Sequence, residues 1–109
     1  MTLLSGGISD LNTVRTTGTF TNKGAVDYTA GDASISISEA NTLSGATTGK
    51  VTATIADDSL ADLIGGSGIN ADTGNDGGDI NAFTVTLTDT SVSAADLATL
   101  DARTSGTIN

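Results

Sequence analysis

Two stretches of this chain say nearly the same thing. "DLNTVRTTGTF" (10–20) aligns with "DLATLDARTSGTI" (96–108) once a two-residue gap follows Val14. Asp10 then meets Asp96, Leu11 meets Leu97, Thr13 meets Thr99, Val14 meets Leu100 and Arg15 meets Arg103, while Gly18 meets Gly106. A middle copy, "ANTLSGATTGKVT" (40–52), matches "LATLDARTSGTIN" (97–109) without a gap, through Thr42, Leu43, Thr47 and Gly49. A second phrase, "TATIADDSLADL" (52–63), recurs as "TVTLTDTSVSAADL" (84–97). Recurrence of this kind means that one supersecondary unit is used several times.

The unit itself can be read from its periodicities. "FTVTLTD" sets Phe83, Val85 and Leu87 alternately with Thr, the two-residue period of a strand with one apolar face. "SISIS" (34–38) and "KVTATIA" (50–56) alternate likewise. After the last strand, "SAADLATLDAR" (93–103) opens on Ser93 as an N-cap with Asp96 three residues on, and puts Leu97 and Leu100 on one helical face. Gly106 then stands where a left-handed C-cap is expected, as do Gly49 and Gly18 in the other copies. The order expected is strand 18–22, strand 33–38, helix 39–46, strand 50–56, helix 57–65, loop 66–81, strand 82–88, helix 93–103 and strand 106–109.

Strand, short helix, glycine, strand is the grammar of a parallel crossover unit. The expected fold class is therefore α/β, with short strand–helix repeats, parallel strands and helices on one face. One-sided coverage is expected because the strands keep a polar Thr face, whereas doubly wound sheets bury both. The competing arrangement is an all-β sandwich in which the helical phrases are loops. The chain is expected to be one repeat-derived domain over 1–109, with the starts of two successive units at 10–22 and 96–109. Leu43, Val51, Ile55, Leu60, Leu63, Val85, Leu87, Leu97 and Leu100 are the expected core.

Composition removes whole classes of function. Twenty Thr and eleven Ser make the chain rich in small hydroxyls, and Phe20, Tyr28 and Phe83 are its only aromatics. Thirteen acids face four bases, for a net charge of -9. Nucleic acid and anionic membrane surfaces both need a cationic face, so neither is an expected partner. With no Cys and no His, disulfides, thiolate chemistry and histidine bases do not arise. No apolar run is long enough to cross a bilayer, and "MTLLSGGISD" lacks the basic and apolar regions of a signal peptide.

The phrases "TVTLTDTSVSAADLATLDARTSGTIN" and "SISISEANTLSGATTGKVTATIADD" resemble the tandem repeats of very large bacterial extracellular proteins. These are adhesin-like, Thr/Ala/Asp-rich, free of Cys, and often associated with glycine-rich calcium-binding nonapeptides of the RTX type. The resemblance covers about 33–64 and 82–109. It implies a non-catalytic structural or adhesive module of a secreted or cell-surface protein, often with calcium, whose export signal lies outside this stretch. The terminal segment 104–109 is expected to leave an open strand edge that residues 10–22 of a neighbour complete, so the expected partners are neighbouring modules associated head to tail.

"GGSGINADTGNDGGDIN" (65–81) is the one stretch suited to a ligand. Its opening is similar to the G-G-x-G-x-D calcium nonapeptide, with Asn70 where the acid belongs. Asp72, Asp76 and Gly77 fit the first, fifth and sixth places of a helix-loop-helix calcium loop, but Phe83 stands at the twelfth. Asp72, Asp76 and Asp79 are the candidate calcium ligands; a plain surface loop is the competing reading. Asp57 and Asp58 are expected to cap a helix.

Catalysis has little to work with. Glu39 is the only glutamate and sits where a helix N-terminus favours an acid. A Ser or Thr nucleophile would have only Lys23 or Lys50 as a base. The chain is expected not to be an enzyme. A small carbohydrate-binding or hydrolytic domain is the alternative from another class, although sugar sites usually need more aromatic surface. A stand-alone cytosolic protein is the third.

Overall fold

The computed structural model describes residues 3–17, 23–70 and 80–109. Strands and helices alternate: β1 (Leu3–Gly6), α1 (Ile8–Thr16), β2 (Asp27–Ala30), α2 (Ile37–Ala46), β3 (Val51–Thr54), α3 (Leu60–Ile64), β4 (Ala82–Thr84) and α4 (Ala94–Asp101). One 3-10 turn at Lys23–Ala25 precedes β2. The strands form one parallel sheet in sequence order, β1-β2-β3-β4. Each crossover therefore moves the chain one place along the sheet, and the α/β fold is a stack of strand–helix coils. Leu4 pairs with Tyr28, Tyr28 with Val51, Thr52 with Ala82 and Val85 with Ile108, giving steps of 24, 23, 30 and 23 residues. The long step contains residues 71–79. The stack measures 47 × 26 × 21 Å. Four helices among the described residues exclude the all-β sandwich.

The helices run for five to ten residues, too short to persist alone, so caps and packing must hold them. Ser36, Ser59 and Ser93 are the N-caps of α2, α3 and α4, and each hydroxyl accepts the backbone N–H three residues on, from Glu39, Asp62 and Asp96. At α2 the Glu39 carboxylate returns the bond to Ser36 N at 2.9 Å, completing a capping box. A further cap comes from the next coil. Asp32 accepts from Ile8 N and Asp89 from Leu60 N, both at 2.6 Å, so the first amide of α1 and of α3 is closed by an aspartate one coil later. Helix start and coil stacking are coupled through these two carboxylates.

The inner sheet face and the helices build one core. Tyr28, Val51, Ile55, Phe83 and Val85 from the strand side meet Leu11, Leu43, Leu60, Leu63 and Leu100 from the helices, all 4% exposed or less. Along β3, Val51 and Ala53 point inward while Thr52 and Thr54 stand exposed, so the outer face is left open there. Of the nine expected core residues, Leu87 and Leu97 are only partly buried. Leu11, Val26, Tyr28, Ala30, Ile35, Ala40, Ala53, Ile69 and Phe83 join the core beyond that set.

Several boundaries differ from the sequence reading. The expected strand 33–38 is a single bridge, Ile35 to Ile55, because the Ser36–Glu39 capping box starts α2 at Ile37. Helix 57–65 shortens to Leu60–Ile64 behind Ser59, and Asp58 spends its carboxylate on Ser59 N at 2.8 Å rather than capping the helix. Exposed Asp57 is not a cap either. Strand 82–88 is Ala82–Thr84 continued by bridges at Val85 and Leu87, and strand 106–109 is the Ile108 bridge. β1 and β2 were not expected, and strand 18–22 lies outside the described residues.

The glycines after the helices are also corrected. Helix α4 ends at Ala102 in ordinary right-handed conformation, and neither Gly49 nor Gly106 is left-handed. Their role is close approach. A Cβ on Gly106 would collide with the Phe83 carbonyl, and one on Gly49 would lie 2.6 Å from the Val26 carbonyl. In both places a buried threonine two residues earlier turns the corner. Thr47 donates to Val26 O at 2.6 Å and accepts from Gly49 N at 2.9 Å; Thr104 donates to Phe83 O at 2.7 Å and accepts from Gly106 N at 3.0 Å. Thr-x-Gly is thus the device that brings a coil back against the preceding strand. Gly18 lies outside the described residues.

Candidate functional site

Three surfaces can bear function, and the first is the outer sheet face. The strand register lays Ser5, Thr29, Thr52 and Ala82 in one cross-strand row, and Thr54 beside Thr84 in the next. Thr52 and Thr54 are exposed, Thr29 and Thr84 half-buried. Spacing follows from the backbone: about 4.8 Å between strands and about 6.6 Å between alternate residues on one strand. The result is a patch of hydroxyls and methyls in which these rows carry no charge. Asp27 lies at its margin, where its carboxylate accepts the Lys50 amide at 2.7 Å.

The second surface is a polar cleft of about 520 Å³ between α1 and α2, with Ser9, Asn12, Arg15 and Glu39 in its walls. Its charged groups are already engaged. Arg15 Nε donates to Asn12 Oδ1 at 2.8 Å, and Glu39 Oε2 holds both Ser36 N and Ser36 Oγ. Arg15 also acts on Tyr28 beneath it. Burial pushes the Tyr28 phenol above its ordinary value of 10.0, and the guanidinium partly offsets that rise.

The third is the base of the 65–81 stretch. Asn41 on α2 clasps it with both ends of its amide, Nδ2 donating to Gly68 O at 2.9 Å and Oδ1 accepting from Asn70 N at 3.0 Å. Arg103 donates to Ile69 O at 2.8 Å from the far side, and Ile69 is fully buried. On the return, buried Asn81 accepts from Val51 N at 2.7 Å and donates to Ser44 Oγ at 2.8 Å. Both roots of the stretch are anchored by amide side chains. Asp72, Asp76 and Asp79 themselves lie outside the described residues. Among the described residues no group of three acids is placed to hold a metal ion. Sequence reasoning missed Asn41, Arg103 and Asn81; the Arg15–Arg103 match marked Arg103 without indicating its job.

Among the described residues no helix is long and apolar enough to cross a membrane. Comparison with family models, curated proteins and solved structures gives no match.

Proposed function

We propose that this chain is a structural and adhesive repeat module of a large secreted or cell-surface bacterial protein, and that it is not a catalyst. The observation that supports this most is strand order. Every strand among the described residues adds beside its predecessor, so coils accumulate along one axis and the molecule grows along it as units are added. Neighbouring modules joined head to tail are the partners this reading proposes, with the threonine face as the surface repeated along the array. An acidic, cysteine-free chain suits that setting.

The test is protease shaving of intact source cells followed by peptide mass spectrometry. Peptides from this chain should be released before any cytosolic marker appears; release only after lysis would overturn the extracellular reading. Calcium at Asp72, Asp76 and Asp79 belongs to the same proposal. A native-state ligand raises the melting temperature by mass action, so millimolar Ca²⁺ should stabilise chelated protein, and replacing all three by Asn should abolish the rise. An unchanged melt would leave the stretch a plain linker.

A further inference from the structure

The cleft between α1 and α2 holds two opposite charges that do not meet. Arg15 lines it from α1 and Glu39 from α2, both half-buried, and they form no ion pair with each other. Each is held locally, through one atom only. Asn12 Oδ1 accepts from Arg15 Nε, and Glu39 Oε2 accepts from the Ser36 cap. Both Nη groups of Arg15 and Oε1 of Glu39 are left without a partner among the described residues.

Those free atoms have a defined chemistry. With Nε pinned, the two Nη groups make a planar fork of fixed direction, the geometry that takes a carboxylate through two parallel bonds. Oε1 of Glu39 is an acceptor for an ammonium group. Asn12 Nδ2 and the Ser9 hydroxyl, also unpartnered among the described residues, add two further donors to the α1 wall.

The stack itself shows that this polarity is not needed for packing. In the equivalent groove between α3 and α4, Leu60, Ala61 and Ile64 follow the cap Ser59 at the same spacings as Ile8, Ser9 and Asn12 follow Gly7. Asp96 takes the place of Glu39, three residues after its own cap. The α3 wall is apolar and carries no base, yet the coils dock there. Both grooves lie between successive coils, so neither is open because of a chain end.

Net charge narrows the class of ligand. A chain of net charge -9 repels a small anion and attracts cations of every kind, whereas a zwitterion is neutral as a whole. Its two ends match the two charges that the cleft holds apart. The cleft, at about 520 Å³, falls within the range of roughly 300–1,000 Å³ that small-molecule sites occupy. We propose that the α1–α2 cleft binds a linear amino acid, its carboxylate on Arg15 and its ammonium group on Glu39. The proposal goes beyond the structural role and does not depend on where the parent protein resides.

NMR titration of the isotope-labelled full chain with glycine, β-alanine and γ-aminobutyrate tests it. These zwitterions differ in the span between their charges, while acetate and methylammonium each supply one charge alone. Arg15→Gln removes the fork. Glu39→Gln removes the anion but keeps the capping box, in which glutamine serves as glutamate does. Circular dichroism checks that both variants fold. At least one zwitterion should give saturable shifts at the Ser9, Asn12 and Thr16 amides and leave Ala61 and Ile64 unmoved. Loss of one charged contact should weaken binding about 10- to 100-fold, in either folded variant and for either half-ligand. No saturable shift with any zwitterion, equal binding of acetate or methylammonium, or a folded variant that binds as the native chain does would each overturn the proposal.

Discussion

Replacing Thr104 by valine keeps the shape of the side chain and exchanges its hydroxyl for a methyl. Thr104 is 3% exposed, and its Oγ1 accepts from Phe83 N at 2.8 Å and from Gly106 N at 3.0 Å while donating to Phe83 O at 2.7 Å. Valine leaves two backbone N–H groups at the turn without a partner. An orphaned buried donor costs about 1–3 kcal/mol, so the pair should cost about 2–5 kcal/mol. A chain of this length is held together by about 5–15 kcal/mol in all. The melting temperature should therefore fall by roughly 10–25 °C. Urea unfolding followed by circular dichroism at 222 nm measures the loss as a lower midpoint at unchanged slope. Two controls bracket the result. Thr47→Val removes the acceptor for one amide, Gly49 N, and should cost about half as much. Exposed Thr99→Val should stay within about 0.5 kcal/mol. If Thr104→Val proves no worse than Thr99→Val, the Thr-x-Gly corner does not hold coils together and the reasoning fails.

Three further substitutions probe the same architecture. Gly106→Ala should destabilise by several kcal/mol, because a Cβ there meets the Phe83 carbonyl, whereas Gly45→Ala, in α2 with open space around it, should gain about 0.5–1 kcal/mol; chemical unfolding compares them. Asp89→Ala removes the cap on Leu60 N and should cost about 1 kcal/mol, with faster amide exchange at Leu60 as its local signature. Tyr28 carries a pH prediction. Its folded pKa is raised, so its contribution is fully present below the ordinary value of 10.0 and is lost as pH rises towards the folded value. Stability should fall above pH 10 in the native chain, and Tyr28→Phe should flatten that part of the curve.

Local signals for the fold were readable where one signal acted alone. Ser93 with Asp96, and Leu100 on the helical face, placed α4 within two residues of its ends. Val51, Ala53 and Ile55 announced β3 by alternation. Where two signals overlapped, the stronger hydrogen-bonding device prevailed: "SISIS" alternates like a strand, yet Ser36 and Glu39 close a capping box across it. β1 and β2 escaped because "LLSG" and "DYTA" are too short to show a period. Long-range contacts supply their stability instead, through pairing with a neighbouring strand and, for Tyr28, full burial. The glycines were recognised as special for the wrong reason. Sequence marks Gly106 as a place without a side chain, but only the folded chain shows that a carbonyl from the preceding coil occupies the space. The anchors Asn41, Asn81 and Arg103 act across 27 to 37 residues of chain, beyond any local pattern.

That coils stack in sequence order, each docking on the one before, is most directly tested by adding one. Tyr28 and Val51 occupy equivalent places, so a second copy of residues 28–50 inserted between Lys50 and Val51 keeps every strand in register. Small-angle X-ray scattering, with circular dichroism on the same sample, measures the outcome. A stack lengthens by about one strand spacing, about 4.8 Å, with helix content per residue preserved and unfolding still cooperative. An insert that unfolds the chain, or that loops out as a protease-sensitive segment without lengthening the stack, would contradict it.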